Sequence, residues 1–227
     1  MICFYDYTVI LTYLSLVSAG CGIMVALNGG GHPYIGTFFL LFCGLCDAFD
    51  GKVARTKKNR SQAERSFGVQ IDSLSDLVAF GVLPAAIGNA MLRRSPLGSL
   101  IYGTWWEKPL WVGMTAVLIL YILAAMIRLA YYNVTEEERQ KTEDGARKYY
   151  TGLPVTSSAL IFPLILLLQY VIPADVTPVY FAGAALCAIA FLSPVQIRKP
   201  GLRGVLILVG IGAVEFLLIL IGRILKH

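Results

Sequence analysis

Apolar stretches long enough to cross a bilayer recur along the whole chain, at 8–27, 33–50, 71–92, 109–131, 153–172, 177–195 and 202–225. A helix needs about 20 apolar residues to traverse roughly 30 Å of hydrocarbon, so each stretch is a candidate membrane span. Hydrophobic residues make up 57% of the chain and charged ones only 15%, with a mean hydropathy of +0.69. A soluble domain of this length could not bury so much apolar surface, and lipid must solvate its outside. The sequence therefore predicts an all-α integral membrane protein. No linker, low-complexity tract or internal repeat divides it, so residues 1–227 read as a single transmembrane domain. The first stretch lacks a basic amino-terminal flank and a small-residue cleavage site, and reads as a retained span.

Basic residues crowd one connection, where Lys52, Arg55, Lys57, Lys58, Arg60 and Arg65 fall between the second and third stretches. Such an excess marks a cytoplasmic loop. Counting spans outward puts Arg139, Lys141, Arg147, Lys148, Arg198, Lys199 and Arg203 on the same side. Arg93, Arg94, Lys108 and the tail at 223–227 fall opposite. The expected location is the inner (plasma) membrane, crossed several times, with membrane lipid as the natural partner of the basic loop. That loop lacks the stacking aromatics a nucleic-acid surface would use, so no nucleic acid is expected. Three polar connections are long, at 52–67, 93–108 and 133–152, and the last is predicted to hold a surface helix capped by Thr135.

Asp47, Asp50, Asp72 and Asp76 stand near the ends of two apolar stretches, where a carboxylate is costly. In a helix Asp47, Asp50, Gly51 and Ala54 share one face, and Gly68, Asp72 and Asp76 share another. The second span ends and the third begins at the same membrane surface, so the two faces can point at one another. Capping or pairing with neighbouring basic residues is the ordinary employment of one interfacial aspartate. Four of them, beside glycine or alanine at helical spacing, point to one shared site. Mutual repulsion in a poorly solvated place calls for a counter-charge, which a bound cation supplies. All-oxygen ligands suit Mg²⁺ or Mn²⁺, with Ca²⁺ a further candidate, better than zinc. The small residues leave room for a bulky anion, and Arg55 offers a planar fork for phosphate.

The pattern Asp47-x-x-Asp50-Gly51-x-x-Ala54-Arg55, then Gly68-x-x-x-Asp72-x-x-x-Asp76, resembles the defining motif of the CDP-alcohol phosphotransferases. Twelve residues separate Arg55 from Gly68, where members of that family have about eight or nine, and the polar insertion is expected to enlarge a loop. Ser15-Leu-Val-Ser18-Ala-Gly-Cys21-Gly22 resembles the family's first-span TxxNxxCG, with Ser18 in place of Asn. Arg128-Leu-Ala-Tyr-Tyr-Asn133 and Tyr150-Thr-Gly152-Leu-Pro154 resemble the RLARFN and FxGLP of its serine-using members, with Tyr131 replacing the second arginine. The resemblance implies a six-helix core with an additional C-terminal transmembrane helix, forming one catalytic domain and a homodimer. It implies that Asp47, Asp50, Asp72 and Asp76 hold one or two divalent ions and that Gly51, Ala54, Arg55 and Gly68 line the CDP moiety. The implied reaction, in phospholipid biosynthesis, moves a phosphatidyl group from CDP-diacylglycerol to L-serine, with Asp76 taking the hydroxyl proton and the site facing the cytoplasm. Arg128, Asn133, Thr151, Gly152 and Pro154 are the candidate acceptor-binding residues.

Other acceptors, glycerol phosphate or inositol phosphate, fit the same donor. A cation transporter is the reading from another class, although transport favours carboxylates near the midplane. Glu215, deep in the last stretch, suggests an interhelical or dimer-interface role. Cys43-x-x-Cys46 reads as small apolar packing, because a metal or redox role needs access that a membrane helix rarely gives. His32 reads as a loop residue.

Overall fold

A computed structural model describes residues 7–29, 31–57, 59–96, 103–142, 149–198 and 201–225. Cys3, Lys58, Arg147, Lys148, Lys199, Lys226 and His227 lie outside the described residues. Helices α1 (Ile10–Leu27), α2 (Pro33–Ala54), α3 (Gln62–Arg94), α4 (Glu107–Thr142), α5 (Ser158–Val171), α6 (Thr177–Leu192) and α7 (Leu202–Leu225) make up the body. A short antiparallel ribbon joins β1 (Tyr149–Thr151) to β2 (Gln196–Arg198), with Tyr150 opposite Ile197.

Contacts between loops fix which helix ends lie together. Arg94 donates to the Gly31 carbonyl at 2.9 Å, Ser95 bonds to Asp175, and the rings of Tyr34 and Tyr170 stand 5.8 Å apart. At the other end, which carries the basic loop, Tyr7 and Thr56 bond through their hydroxyls at 3.1 Å. Successive helices therefore run in alternating directions, as membrane crossings must.

Helices α1 (with its 3₁₀ lead-in), α2, α3, α4 and α7 are long and apolar enough to cross a membrane, which makes the chain a multi-pass membrane protein. The stretches at 153–172 and 177–195 correct the expectation of full-length spans, because their helices cover only Ser158–Val171 and Thr177–Leu192. Val155–Ser157 form a 3₁₀ turn instead, and residues 193–195 lead into β2. Gly152 donates to the Val195 carbonyl at 2.7 Å, and Leu153 to that of Ala190 at 3.0 Å. Lipid-facing side chains such as Met24, Val112, Leu186 and Ile189 stay exposed, as expected where hydrocarbon is the solvent.

Small residues let the first three helices approach closely. A Cβ on Gly22 would stand 2.8 Å from Phe39 Cβ and 2.9 Å from Leu83 Cδ1, so only glycine admits α2 and α3 together. Ser18 Oγ donates to the Phe39 carbonyl at 3.1 Å, and buried Cys43 donates to Ser15 O at 3.3 Å, a packing role for that thiol. Deeper in, Tyr121, Phe162, Tyr180 and Phe191 form an aromatic core, with Tyr121 and Phe162 edge-to-face at 5.5 Å.

A π-helical stretch, Leu77–Val82, interrupts α3 immediately after Asp76. Its cause lies in the sequence. Pro84 has no N–H to offer the carbonyl of Phe80, four residues earlier. Tyr121 Oη of α4 donates to that carbonyl at 2.5 Å and meets Ser158 Oγ at 2.8 Å, while Tyr180 donates to Pro84 O at 2.7 Å. Tyr121 thus satisfies the carbonyl the proline frees, and the two buried tyrosines tie α3 to α4, α5 and α6.

Two further expectations are corrected. Thr135 does not start a helix but lies inside α4, its hydroxyl bonded to the Tyr131 and Tyr132 carbonyls, because no glycine or proline breaks the helix between 114 and 142. The insertion after Arg55 is only partly loop, since Ser61 and Glu64 form a reciprocal capping box and α3 starts at Gln62. Glu215 is 4% exposed, beside a groove lined by Leu164, Leu167, Ile207 and Ile211, so it faces α5 within the bundle.

Candidate functional site

The last two turns of α2 carry Asp47, Asp50, Gly51 and Ala54, and the first half of α3 carries Gly68, Asp72 and Asp76. The connection at 55–61 returns the chain to the same membrane face. Ser75 Oγ then donates to the Thr12 carbonyl at 3.1 Å, which fixes the rotation of α3 beside Asp76. The two acidic faces meet. Asp50 and Asp72 lie within hydrogen-bonding reach of one another, Asp47 lies within electrostatic reach of Asp72, and Asp76 within reach of all three. Asp76 is buried and the other three are half-buried.

Ordinary employment does not account for these groups. Among the described residues none of the four forms an ion pair with lysine or arginine. Asp50 accepts from the N–H of Gly51, and Asp76 caps no helix with its side chain. The four act on one another across α2 and α3, but among the described residues no three acidic, His or Cys side chains are gathered as a finished metal cage. The donor chemistry fits a hard divalent ion. Two carboxylates are both acceptors, so the Asp50–Asp72 contact requires a proton or a cation between them.

Arginine lies over each motif glycine. A Cβ on Gly51 would stand 3.6 Å from Arg55 Nη1, so this guanidinium rests on the acidic face of α2. On α3, a Cβ on Gly68 would stand 2.6 Å from Arg60 Nη2. The sequence reading took Arg60 only as part of a basic loop; the capping box Ser61-x-x-Glu64, legible beforehand, is the signal that would have placed it beside the helix.

The residues read as acceptor-binding are joined through α4. Asn133 Nδ2 donates to Ser73 Oγ at 2.7 Å, next to Asp72. Arg128 is only 5% exposed, its guanidinium 5.5 Å from the centre of the Tyr132 ring, so it does not reach out toward headgroups. Tyr132 in turn meets Tyr150 at 5.8 Å, beside Thr151. Gly152 has a φ of +77° and packs where a Cβ would lie 2.6 Å from the Phe191 carbonyl, and Pro154 O accepts from Ser157 N at 3.1 Å. Gly152 and Pro154 therefore shape the turn, while Tyr132 and Tyr150, which the sequence reading did not single out, link it to Arg128.

A family model described as CDP-alcohol phosphatidyltransferase matches residues 8–195, ending before α7. A CDP-diacylglycerol–serine O-phosphatidyltransferase of Saccharomyces cerevisiae is 34% identical over 163 residues, covering 69% of this chain and 51% of that protein. One of Mycobacterium bovis is 29% identical over 66% of this chain and 45% of its own. An archaetidylserine synthase of Methanothermobacter thermautotrophicus is 28% identical over 65% and 53% respectively. The chain spans about half the length of the curated relatives it matches.

Proposed function

Because the chain belongs to the CDP-alcohol phosphatidyltransferase family, we propose that it transfers a phosphatidyl group from CDP-diacylglycerol to L-serine, giving phosphatidylserine and CMP. The observation that carries this reading is the meeting of carboxylates from α2 and α3 at one end of the bundle, where acyl chains can stay in lipid while a nucleotide enters from water. The shared serine in the names of relatives from a yeast, a bacterium and an archaeon supports the acceptor. A transporter would place its acidic groups along a path through the bundle, whereas these lie within turns of one surface.

A divalent ion, Mg²⁺ or Mn²⁺, held by Asp47, Asp50, Asp72 and Asp76, would supply neutralisation of the pyrophosphate charge. Gly51, Ala54 and Gly68 keep side-chain bulk away from the nucleotide, and Arg55 donates to a phosphate oxygen. Buried Asp76 accepts the serine hydroxyl proton as that oxygen attacks phosphorus and the bond to CMP breaks. Arg128, Asn133 and the 151–154 turn orient the amino acid, Arg128 forking its carboxylate. The site faces the cytoplasm by the charge of its loops.

The test is CMP release by purified protein given CDP-diacylglycerol, Mg²⁺ or Mn²⁺ and a panel of alcohols. Serine should give the highest rate. Preference for glycerol phosphate or inositol phosphate would overturn the acceptor, and no release with any alcohol would overturn the reaction.

A further inference from the structure

Arg60 sits where an anion is wanted and has no carboxylate of its own. Its Nη2 donates to the Glu64 carbonyl at 3.1 Å, its Nε is buried without a hydrogen-bond partner, and among the described residues it forms no ion pair. The nearby carboxylate is already taken, since Glu64 binds Lys57 at 2.9 Å and the Ser61 N–H at 2.7 Å. A half-buried guanidinium with donors to spare and no counter-charge favours an incoming anion. Gly68 leaves room for it, because a Cβ there would stand 2.6 Å from Nη2 and the guanidinium would have to shift. The capping box that starts α3 anchors the neighbouring Ser61 and so holds the arginine in place.

We propose that Arg60 is a second anion-binding arm of the donor site, grasping the pyrophosphate of a nucleoside-diphosphate donor from α3 while Arg55 grasps it from α2. The inference rests on the donor class proposed above. Two forks set over two glycines, one next to Asp50 and one a helical turn before Asp72, suit a bridging diphosphate that carries charge on both phosphorus centres. The insertion between Arg55 and Gly68 then has a role, for it supplies both the second fork and the turn that fixes it.

The experiment compares wild type, Arg60→Gln, Arg60→Lys and Arg60→Ala as full-length purified protein in the same detergent with Mg²⁺. Binding of soluble CDP is measured by calorimetry, and CMP release is measured against donor and serine concentrations. Arg60→Gln keeps a polar side chain and removes the charge, and the melting temperature of each variant in detergent shows whether the arginine's bond to the Glu64 carbonyl matters for folding. The expected result is CDP affinity and donor KM worsened about ten-fold or more in Arg60→Gln and Arg60→Ala. Arg60→Lys should recover part of the loss, and serine KM should stay within about two-fold. Unchanged CDP binding in Arg60→Gln overturns the proposal, as does tighter binding, which would make the arginine an obstruction. Wild type that binds CDP yet releases no CMP would overturn the reaction alone and leave the arginine decided by the calorimetry.

Discussion

In the half of the site assigned to the donor, the motif residues from Asp47 to Asp76 lie on two consecutive helices, α2 and α3, apart from Arg55, which caps the end of α2 in the one short connection between them. In the half assigned to the acceptor, Arg128 and Asn133 come from α4, the 151–154 turn follows β1, and the end of α6 supplies the backbone against which that turn is pressed. The first half depends on helical periodicity, which survives as long as each helix does. The second depends on distant segments arriving together. On the reading proposed above, chemistry that must not tolerate error sits on the local construction, and recognition that can vary among acceptors sits on the assembled one.

The largest effect should come from the local half. Asp72→Asn keeps the shape of the side chain and removes a charge from the facing pair, and CMP release should fall about a thousand-fold or more while the protein still purifies folded. Retention of a tenth of the activity would detach this aspartate from the chemistry. Arg128→Ala tests the assembled half: serine KM should rise about ten- to a hundred-fold, as for the loss of a charge-assisted fork, with donor KM nearly unchanged. Equal damage to both constants would merge the two halves into one.

Smaller effects should separate assembly from chemistry. Gly152→Ala forces a side chain onto a φ of +77° and against the Phe191 carbonyl. A loss of about 2 kcal/mol in stability is expected, read as a lower midpoint of thermal unfolding in detergent, with serine affinity falling further than donor affinity. Tyr121→Phe strips the Phe80 carbonyl of its donor and should cost about 1–2 kcal/mol. Ser61→Ala removes one arm of the capping box at the start of α3 and should cost about 1 kcal/mol, with its kinetic effect confined to the donor constant. An Ser61→Ala protein altered only toward serine would break the assignment of the two halves.

Periodicity made the donor half legible: the spacing of Asp47 and Asp50, and of Asp72 and Asp76, places each pair on one face whatever surrounds the helix. It did not fix the rotation of one helix against the other, which the Ser75–Thr12 and Ser18–Phe39 bonds set. Arg60 escaped notice because a flexible side chain in a polar insertion declares no direction until Ser61 and Glu64 cap a helix beside it. The short helices α5 and α6 were read as full spans because hydropathy counts apolar residues without knowing that some will enter a turn and a ribbon. The roles of Tyr121 and Tyr180 carry no sequence signal, since their partners are the backbone carbonyls of Phe80 and Pro84, far away in the chain.

By itself the sequence determined that this protein lives in a membrane, that its long segments are helical, and that acidic groups sit at one end of two of them, because hydrophobic length and helical repeat are local properties. Only the tertiary structure decided that those groups face one another, that Arg128 is buried against Tyr132, and that an arginine covers each motif glycine. Such pairings depend on the approach and rotation of whole helices, which small residues and a few interhelical hydrogen bonds select from many arrangements that the same apolar pattern allows.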